Sequence, residues 1–355
     1  MNELTTTQTM EVTATAAAPT HKRVILSGVG GIENLQLIRE TIPEPKVGEI
    51  RVRVRASGLA YADILCRLGL YPGAPHRPFT PGYDLVGEVD KVGDGVMDLV
   101  EGQMVGALLP KFGAQAQHVC APAIQFVPVP EEVDPVMAVA VILNYLTADR
   151  ILHNKAKVQR GERMLVHSAA GGVGTALLQL GRLLGLETIG TASAKKLALV
   201  TRLGAAAIDY QREDFALGVR QMMAEGVDVV CDPIGSDTMT RSYSLLRRGG
   251  RLVNYSFLAA VDEGKTAAVR SLVQIVWYNI RPDGRKAILF GDTPTAARRE
   301  NEWYRERLKA LFRMLSDGRI QPIIGKTLPL SAAAEAQHLL ETAAVSGKIV
   351  LLHEA

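Results

Sequence analysis

The sequence predicts an α/β protein with a mostly β first half and a doubly wound parallel sheet in its second half. At 355 residues, the chain is too long for a single compact core to be expected. Short β-like runs between Arg23 and about Val129 are separated by Pro and Gly clusters. Beyond Asp134, short apolar strands alternate with helical stretches, which is typical of βαβ units around a parallel sheet.

In the first half, we expect strands over residues 23–26, 49–56, 85–92 and 104–109. In the second of these, Ile50, Val52 and Val54 alternate with arginines, so one face is apolar and the other is charged. This alternation predicts a half-buried strand. We interpret the arginines as the solvated face of that strand rather than as a ligand site.

In the second half, we expect strands over residues 164–167, 188–190, 227–231 and 251–254. Helices of three or four turns fit between them, at 173–184 and 194–203. A later helix, 302–315, is followed by an Asp-Gly pair, which is a good stop signal. Residues 348–352 are typical of one more strand.

The charge pattern argues against a nucleic-acid partner. Lys and Arg total 40 and Asp and Glu total 37, and the basic residues are dispersed instead of forming a stripe or a tail. The three cysteines lie far apart without a C-x-x-C pair, so neither a disulfide framework nor a structural zinc ribbon is predicted. This cysteine usage fits a reducing compartment, and we expect a cytoplasmic location.

The apolar runs of the chain are too short to predict a membrane-spanning helix. The longest, around residues 136–143, falls well below the ~18 to 20 residues that a span requires. We therefore expect no integral membrane association. Residues 1–20 are rich in Thr and Ala and lack Lys and Arg, so we interpret them as a disordered tail rather than a targeting peptide.

The strongest chemical signal is a predicted strand that runs directly into a glycine-rich turn and then a helix, over residues 164–174. Glycines at 171, 172 and 174 let the backbone approach a pyrophosphate, which the N–H groups and dipole of the following helix would stabilise. Ala169 replaces the first glycine of G-x-G-x-x-G, so the motif is a variant. The pattern predicts dinucleotide binding; a purely structural tight turn is the alternative. The predicted contacts in this turn are Ala170, Gly171, Gly172, Val173 and Gly174.

The end of the second strand of this predicted unit favours NADPH over NADH. An NAD site normally has an acidic residue there, about 20 residues after the turn, to bind the ribose 2′-hydroxyl. Residues 190–196 instead read Gly-Thr-Ala-Ser-Ala-Lys-Lys, which supplies hydroxyls and amines suited to a 2′-phosphate. The alternative is that Lys195 and Lys196 merely solvate the start of a helix.

With these motifs in place, the chain from about His21 onwards resembles the medium-chain dehydrogenase/reductase superfamily. It is most similar to the zinc-free quinone oxidoreductases, including the branch related to synaptic vesicle membrane protein homologues. The resemblance lies in blocks found in family order, at residues 56–63, 69–73, 81–84, 169–174, 190–193, 208–210, 249–253 and 347–351.

The resemblance implies two domains and a cleft between them in which nicotinamide and substrate meet. A GroES-like β-rich catalytic domain would comprise residues 21–143 and 297–355. A Rossmann domain would comprise residues 144–296. Zinc-dependent members carry a cysteine and a histidine where this chain has Ala60 and Tyr83, so no metal site is expected.

The resemblance also implies the remaining cofactor contacts. Ser193 belongs to a matching block, and Lys195 and Tyr210 would hold the adenosine 2′-phosphate. Lys348 would reach the cofactor from the returning chain. The residues expected beside the nicotinamide are Thr147, Asn254, Tyr255 and Ser256.

The substrate end is less well defined by the sequence. Quinone reductases usually carry Asn-Phe where this chain has Ala60 and Tyr61, so a polar group is missing and a phenol is present. Hydride transfer needs no covalent nucleophile, only orientation and stabilisation of negative charge on the acceptor. We expect Tyr61 and Tyr71 to line the pocket and to donate protons; the alternative is that each is an ordinary packing residue.

Three functions are compatible with these residues. The favoured one is zinc-independent, NADPH-dependent hydride transfer to a small quinone or enone. An enoyl-thioester reductase would use the same scaffold on a longer acyl chain. A non-enzymatic NADPH-binding membrane or lipid adaptor is the third, although the chain lacks a polybasic amphipathic segment.

A homodimer is also expected. The run 286–291 is apolar and β-prone, and in the family a strand near this point joins its twin across a two-fold axis. In a monomer, an unpaired strand of this kind would leave backbone N–H and C=O groups free to pair with another chain.

Overall fold

The computed structural model describes residues 18–291 and 293–354. Most of the predicted tail, residues 1–17, lies outside the described residues. The tail prediction extended too far at its end, because Thr20 is already the first residue of strand β1.

The strands, in chain order, are β1 (Thr20–Leu26), β2 (Leu35–Thr41), β3 (Glu49–Gly58), β4 (Asp84–Val92), β5 (Met104–Leu108), β6 (His118–Pro122), β7 (Phe126–Pro128), β8 (Arg163–Val166), β9 (Glu187–Ala192), β10 (Ala206–Asp209), β11 (Val227–Asp232), β12 (Leu246–Asn254), β13 (Lys286–Leu289), β14 (Ile324–Pro329) and β15 (Lys348–Leu352). The helices are α1 (Tyr61–Arg67), α2 (Pro135–Arg150), α3 (Gly172–Leu183), α4 (Leu197–Arg202), α5 (Phe215–Met222), α6 (Ser236–Tyr243), α7 (Ala259–Glu263), α8 (Lys265–Ile280), α9 (Thr293–Arg299), α10 (Asn301–Ser316) and α11 (Ala333–Glu341).

The second half of the chain forms the predicted doubly wound parallel sheet. Its six strands run in the order β10-β9-β8-β11-β12-β13, and every neighbouring pair is parallel. The chain order reverses between β8 and β11, and such a switch point opens a crevice at the carboxyl ends of the strands. This arrangement confirms the predicted Rossmann sheet.

The other sheet takes strands from both ends of the chain, as the GroES-like prediction requires. Its order is β14-β15-β3-β4-β5-β7, with β6 also paired to β3. Strand β15 returns from the end of the chain and pairs antiparallel with β3. The separate hairpin of β1 and β2 lies beside it, since Arg23 forms a bridge with Ala116, two residues before β6.

Strand β3 shows why the arginine alternation is structural. Val52 is fully buried and Val54 is 2% exposed, while the arginines form ion pairs across the outer face of the sheet. Arg53 and Arg55 both contact Glu88 on β4 at 3.0 Å. The arginines of β3 therefore bind their neighbouring strand.

Helix α2 is longer than the apolar run in the sequence suggested. With a π-helical turn, Ile151–Lys155, it forms a continuous helix of 21 residues, Pro135–Lys155. The prediction that no apolar segment approaches the length of a membrane span was therefore wrong for this helix. Its length and composition would allow it to span a membrane, but 72% of its apolar window is buried within the protein. It packs on β4 at one side and on α3 and α10 at the other. It is the core helix that joins the two sheets, and the predicted domain boundary between residues 143 and 144 falls inside it.

Other element boundaries shift without changing the fold. Strand β12 begins at Leu246, five residues before the predicted start, and the predicted helix 194–203 is a 3₁₀ turn, Ala194–Lys196, followed by α4. Helix α8 has no counterpart among the elements predicted from the sequence.

Candidate active site

The glycine-rich turn lies between β8 and α3, at the centre of the parallel sheet. The N–H of Ala169 donates to the carbonyl of Thr191 on the neighbouring strand at 3.0 Å, which fixes the entry into the turn. Gly171 occupies the N-cap position of helix α3 in an extended conformation. No side chain forms a capping hydrogen bond with the first N–H groups of this helix. An uncapped helix start at the switch point is suited to bind a pyrophosphate.

Gly174 is a position in this turn where a residue with a side chain would not fit. A Cβ atom at Gly174 would overlap the carbonyl oxygen of Ser168 and lie 2.8 Å from the Cα of Ala169. At Gly171, by comparison, a Cβ atom would meet only the Ser168 oxygen, at 3.2 Å. The turn is therefore closed by direct contact between backbones.

The returning chain meets the turn directly. The N–H of Gly347 donates to the carbonyl of Ala170 at 2.8 Å, so the loop before β15 closes one side of the turn. The next residue, Lys348, is 2% exposed, and its Nζ atom lies 2.7 Å from Oδ2 of Asp84. The geometry thus uses the Lys348 ammonium to bind β15 to β4. The predicted contact of Lys348 with the cofactor stays a prediction, and it would use another of the three N–H donors of the ammonium.

Two residues predicted to hold a 2′-phosphate, Lys195 and Tyr210, and the predicted cofactor contact Ser193 follow the carboxyl ends of β9 and β10. Asp209 and Ala192 are register partners in these parallel strands, so the residues that follow them, Tyr210 and Ser193, are neighbours. Tyr210 is 55% exposed. Lys195 is also exposed, which leaves its ammonium accessible to an anion.

Lys196 has a different environment from Lys195. Its Nζ atom donates to the carbonyls of Ala343 and Val345, each at 2.7 Å. These carbonyls follow α11, where a cation is favoured at the end of a helix. Lys196 therefore connects the parallel sheet to the GroES-like domain, and its burial lowers the pKa of its ammonium.

The predicted nicotinamide contacts lie at the carboxyl end of β12. Asn254 is fully buried, and its Nδ2 atom donates to the carbonyls of Asp232 and Ser256, at 3.1 and 2.9 Å. The N–H of Tyr255 donates to the same Asp232 carbonyl. The Asn254 side chain therefore shapes the loop, while Tyr255 and Ser256 are half-buried.

Thr147 lies on α2 near the junction of the domains. Its hydroxyl is 2.7 Å from the hydroxyl of Thr293, at the start of α9. Both residues are buried, so the structure binds α2 to α9 through this pair.

Asp63 organises the substrate end. The Oδ2 atom of this fully buried carboxylate accepts from the N–H of Ala60, and its Oδ1 atom accepts from the N–H of Gly82, each at 2.8 Å. It thereby holds the start of α1, where Tyr61 lies, against the turn that carries Tyr83. Burial raises the pKa of Asp63 to about 6.

Tyr61 is half-buried at the first position of α1. Burial raises the pKa of its phenol, and the carboxylates of Glu341 and Asp262 add to the effect. Glu341 belongs to α11 and Asp262 to α7, so Tyr61 lies near carboxylates of both the GroES-like domain and the segment after β12.

Tyr71 belongs to an aromatic cluster that the sequence analysis did not recognise. The hydroxyl of Tyr83 donates to the hydroxyl of Tyr71 at 2.9 Å. Phe112 stacks on Tyr83, with ring centroids 4.0 Å apart, and contacts Tyr71 edge-on. The sequence singled out Tyr83 only as the residue in a zinc-ligand position, and its distance of 12 residues from Tyr71 gave no signal of the hydrogen bond.

The described residues, 18–291 and 293–354, contain no group of three or more His, Cys, Asp or Glu side chains that could hold a metal ion. The positions that carry zinc ligands in metal-dependent relatives hold Ala60 and the phenol of Tyr83, which is paired with Tyr71.

Comparison with protein families and sequences gives concordant matches. The family model described as an alcohol dehydrogenase GroES-like domain matches residues 46–131, and the one described as a zinc-binding dehydrogenase matches residues 203–351. The human synaptic vesicle membrane protein VAT-1 homolog is 31% identical, over 93% of this chain and 86% of its own length. A 2-haloacrylate reductase of Burkholderia sp is 33% identical, over 96% of this chain and 99% of its own.

Solved structures share the whole fold. The crystal structure of Escherichia coli quinone oxidoreductase complexed with NADPH superposes with a TM-score of 0.81 and 27% identity, and covers 93% of this chain and 99% of its own.

Proposed function

The chain belongs to the medium-chain dehydrogenase/reductase superfamily of nicotinamide-dependent oxidoreductases, and we propose that it is a zinc-independent reductase that uses NADPH to reduce a small quinone or enone. The observation that carries this proposal is the uncapped glycine turn, which lies next to a strand end with an exposed lysine and no acid in the NAD-specific position. The similarity to a quinone oxidoreductase in complex with NADPH supports it.

In this proposal, one group of residues binds the cofactor and another donates hydrogen bonds or protons to the acceptor. The N–H groups at the start of α3 hold the pyrophosphate, and Ser193, Lys195 and Tyr210 bind the 2′-phosphate. NADPH, when bound, supplies the hydride. Tyr61 and Tyr71 donate hydrogen bonds to the oxygen on which negative charge develops, and a phenol of raised pKa such as Tyr61 stays protonated at neutral pH.

The acceptor class follows from the side chains at the substrate end. Ala60 replaces a polar residue, and Tyr71 is the partly exposed member of an aromatic cluster whose other rings, Tyr83 and Phe112, are buried behind it, which suits a flat apolar acceptor. The relative named as a 2-haloacrylate reductase supports the inclusion of activated alkenes. We therefore rank quinones and enones above long acyl thioesters.

The test is the loss of NADPH absorbance with purified protein and a panel of acceptors: 9,10-phenanthrenequinone, 1,4-benzoquinone, a medium-chain enone and crotonyl-CoA. Each reaction is repeated with NADH and with a metal chelator. We expect turnover with NADPH on the quinones or the enone, unchanged by chelator. Turnover on crotonyl-CoA alone would assign an enoyl-thioester reductase, and NADPH binding without turnover would favour the adaptor.

We also propose a cytoplasmic location. Cys66, Cys120 and Cys231 are free thiols, and the first and last of them are buried, as suits a reducing compartment. Fractionation of the native source tests the proposal, because recovery in the membrane pellet after a salt wash would contradict it.

A further inference from the structure

Phe112 combines a buried aromatic ring with a backbone conformation that disfavours side chains. Its φ angle is 65°, in the left-handed region, which is unfavourable for residues with a Cβ atom and most of all for bulky ones. Glycine adopts this region freely, and the next residue, Gly113, has a φ of 110°. A phenylalanine kept at such a position indicates that its side chain has a role there.

The backbone around Phe112 is fixed by the segment that carries Tyr83. On one side, the N–H of Leu109 donates to the carbonyl of Tyr83 at 2.6 Å. On the other side, the N–H of Ala114 donates to the carbonyl of Gly82 at 3.1 Å. The left-handed conformation of Phe112 therefore persists because these bonds on both sides impose it.

The ring of Phe112 contacts both phenols of the aromatic cluster. It stacks on Tyr83, with ring centroids 4.0 Å apart and planes 26° apart, and it meets Tyr71 edge-on at 5.9 Å. The Phe112 side chain is 7% exposed, and the ring of Phe79 contacts it at 5.4 Å. The position of the Tyr83 ring thus depends on Phe112.

Tyr83 is a fixed hydrogen-bond donor to Tyr71. Its hydroxyl donates to the hydroxyl of Tyr71 at 2.9 Å. Tyr83 is 4% exposed, and burial raises the pKa of its phenol, so the hydroxyl keeps its proton. A donor held in this way stabilises negative charge on the Tyr71 oxygen when Tyr71 gives its own proton to an acceptor.

We propose that Phe112 is a positioning residue for proton donation by Tyr71, and that it acts by holding the hydroxyl of Tyr83 against the Tyr71 oxygen. The inference rests on the proposed reductase function, in which NADPH supplies the hydride and Tyr71 supplies the proton. In that step the O–H bond of Tyr71 breaks while a bond to hydrogen forms on the reduced acceptor. The electron pair stays on the Tyr71 oxygen, where the hydroxyl of Tyr83 stabilises it until water returns the proton.

The first test compares two matched variants on the preferred quinone or enone. Phe112→Leu removes the stacked ring but keeps an apolar side chain, so kcat should fall about fivefold, as suits the loss of one aromatic contact. The KM for NADPH should be unchanged. Phe79→Leu is the control, because it removes a buried ring that contacts Phe112. It should lower the melting temperature by a similar amount and leave kcat normal.

Phe112→Gly separates the ring from the backbone conformation. Glycine relieves the unfavourable left-handed φ angle but supplies no ring, so kcat should fall at least as far as in Phe112→Leu. Normal kcat in either Phe112 variant would overturn the proposal. An equal loss of kcat in Phe79→Leu would do the same, because the effect would then follow from any loss of packing in the cluster.

A double variant shows whether Phe112 acts through Tyr83. In a Tyr83→Phe background the hydroxyl is already absent, so Phe112→Leu should reduce kcat no further. A full additional loss in the double variant would mean that Phe112 affects the reaction by another route, and would overturn the proposal.

The exchange of tyrosine hydroxyl protons with solvent, followed by NMR, tests the contact without turnover. The buried Tyr83 hydroxyl should exchange about tenfold faster in Phe112→Leu than in the wild-type protein or in Phe79→Leu. Normal turnover with an unchanged exchange rate in Phe112→Leu would overturn the role of Phe112 alone. Exchange rates as expected, without turnover of any acceptor by the wild-type protein, would instead overturn the proposed function and with it the role of Phe112. The two failures are therefore distinguishable.

Discussion

The glycine turn after β8 is closed by contacts between backbone atoms, whereas the aromatic cluster at the substrate end consists of side chains from segments far apart in the sequence. In the turn, Gly174 and Ser168 are six residues apart, and the contact leaves no room for a side chain. In the cluster, Tyr71 meets Tyr83 and Phe112 through ring and hydroxyl contacts. The cofactor end therefore tolerates little change in sequence, and the substrate end can change while the fold persists.

The largest effect is expected for Gly174→Ala. Its methyl group would overlap the Ser168 carbonyl, so either the turn or the start of α3 must shift. We expect NADPH affinity to fall by at least a hundredfold, which corresponds to about 2.7 kcal/mol. Titration of protein fluorescence with NADPH measures it. Gly171→Ala, whose methyl group meets only one oxygen at 3.2 Å, should lose much less; equal losses in both variants would contradict the assignment.

The difference between the two ends explains what the sequence could predict. The strand, turn and first helical residues are consecutive, so their chemistry is legible in a single stretch of eleven residues, 164–174. The bond between Lys348 and Asp84 joins positions 264 residues apart, and no pattern in the sequence near either residue predicts it. The resemblance to a known family correctly predicted the fold, but it gave no indication that Lys348, its predicted cofactor contact, forms an ion pair with Asp84.

Helices α2 and α8 show a second limit of sequence analysis. Periodicity identifies an apolar face but does not say what covers it. Most of the apolar residues of α2 are buried, while α8 leaves six large apolar side chains between Val269 and Ile280 exposed. Only the tertiary structure distinguishes an apolar face that the chain itself covers from one that it leaves in contact with solvent.

At the substrate end, Tyr71→Phe should reduce kcat on the preferred acceptor about a hundredfold, the usual contribution of a general acid. Tyr83→Phe removes the hydroxyl that donates to Tyr71 but keeps the stacked ring, so we expect a reduction of about tenfold. The KM for NADPH should be unchanged in both. Tyr243→Phe, which removes a hydroxyl on α6 but keeps the ring that stacks on Tyr278 of α8, is the control. Normal kcat in Tyr71→Phe would make this tyrosine a packing residue.

Lys195 and Lys196 offer a matched pair at the cofactor end. Lys195→Ala should raise the KM for NADPH about tenfold and leave that for NADH unchanged, because it removes a charge-assisted bond to the 2′-phosphate. Lys196→Ala breaks its bonds to Ala343 and Val345, so it should lower the melting temperature without a change in cofactor preference. The reverse result would assign the phosphate to Lys196. Initial rates with both cofactors, together with thermal melts, distinguish these cases.

The last prediction concerns acid stability, because a buried histidine directly follows one strand of each of the two large sheets. His167 follows β8 and lies between the hydroxyls of Thr191 and Ser242, and His353 follows β15 with its Nε2 atom 2.8 Å from the Ser57 hydroxyl. Burial lowers the pKa of each to about 3. The unfolded chain therefore binds protons below about pH 6.5 that the folded protein excludes.

The sign follows from this difference: stability is greatest above about pH 6.5 and falls as the pH decreases toward about 3. Each histidine should cost about 1.4 kcal/mol of unfolding free energy per pH unit in this window. Urea denaturation at pH 7, 6 and 5 measures the slope of the unfolding free energy against pH. His167→Gln and His353→Gln should each reduce this slope by the equivalent of one proton. The control is His76→Gln, which changes an exposed histidine and should leave the slope unchanged. A smaller slope change for His353→Gln than for His167→Gln would mean that the GroES-like sheet admits water to its histidine before it unfolds. Such a result would extend the contrast between a rigid cofactor end and an adaptable substrate end from sequence to stability.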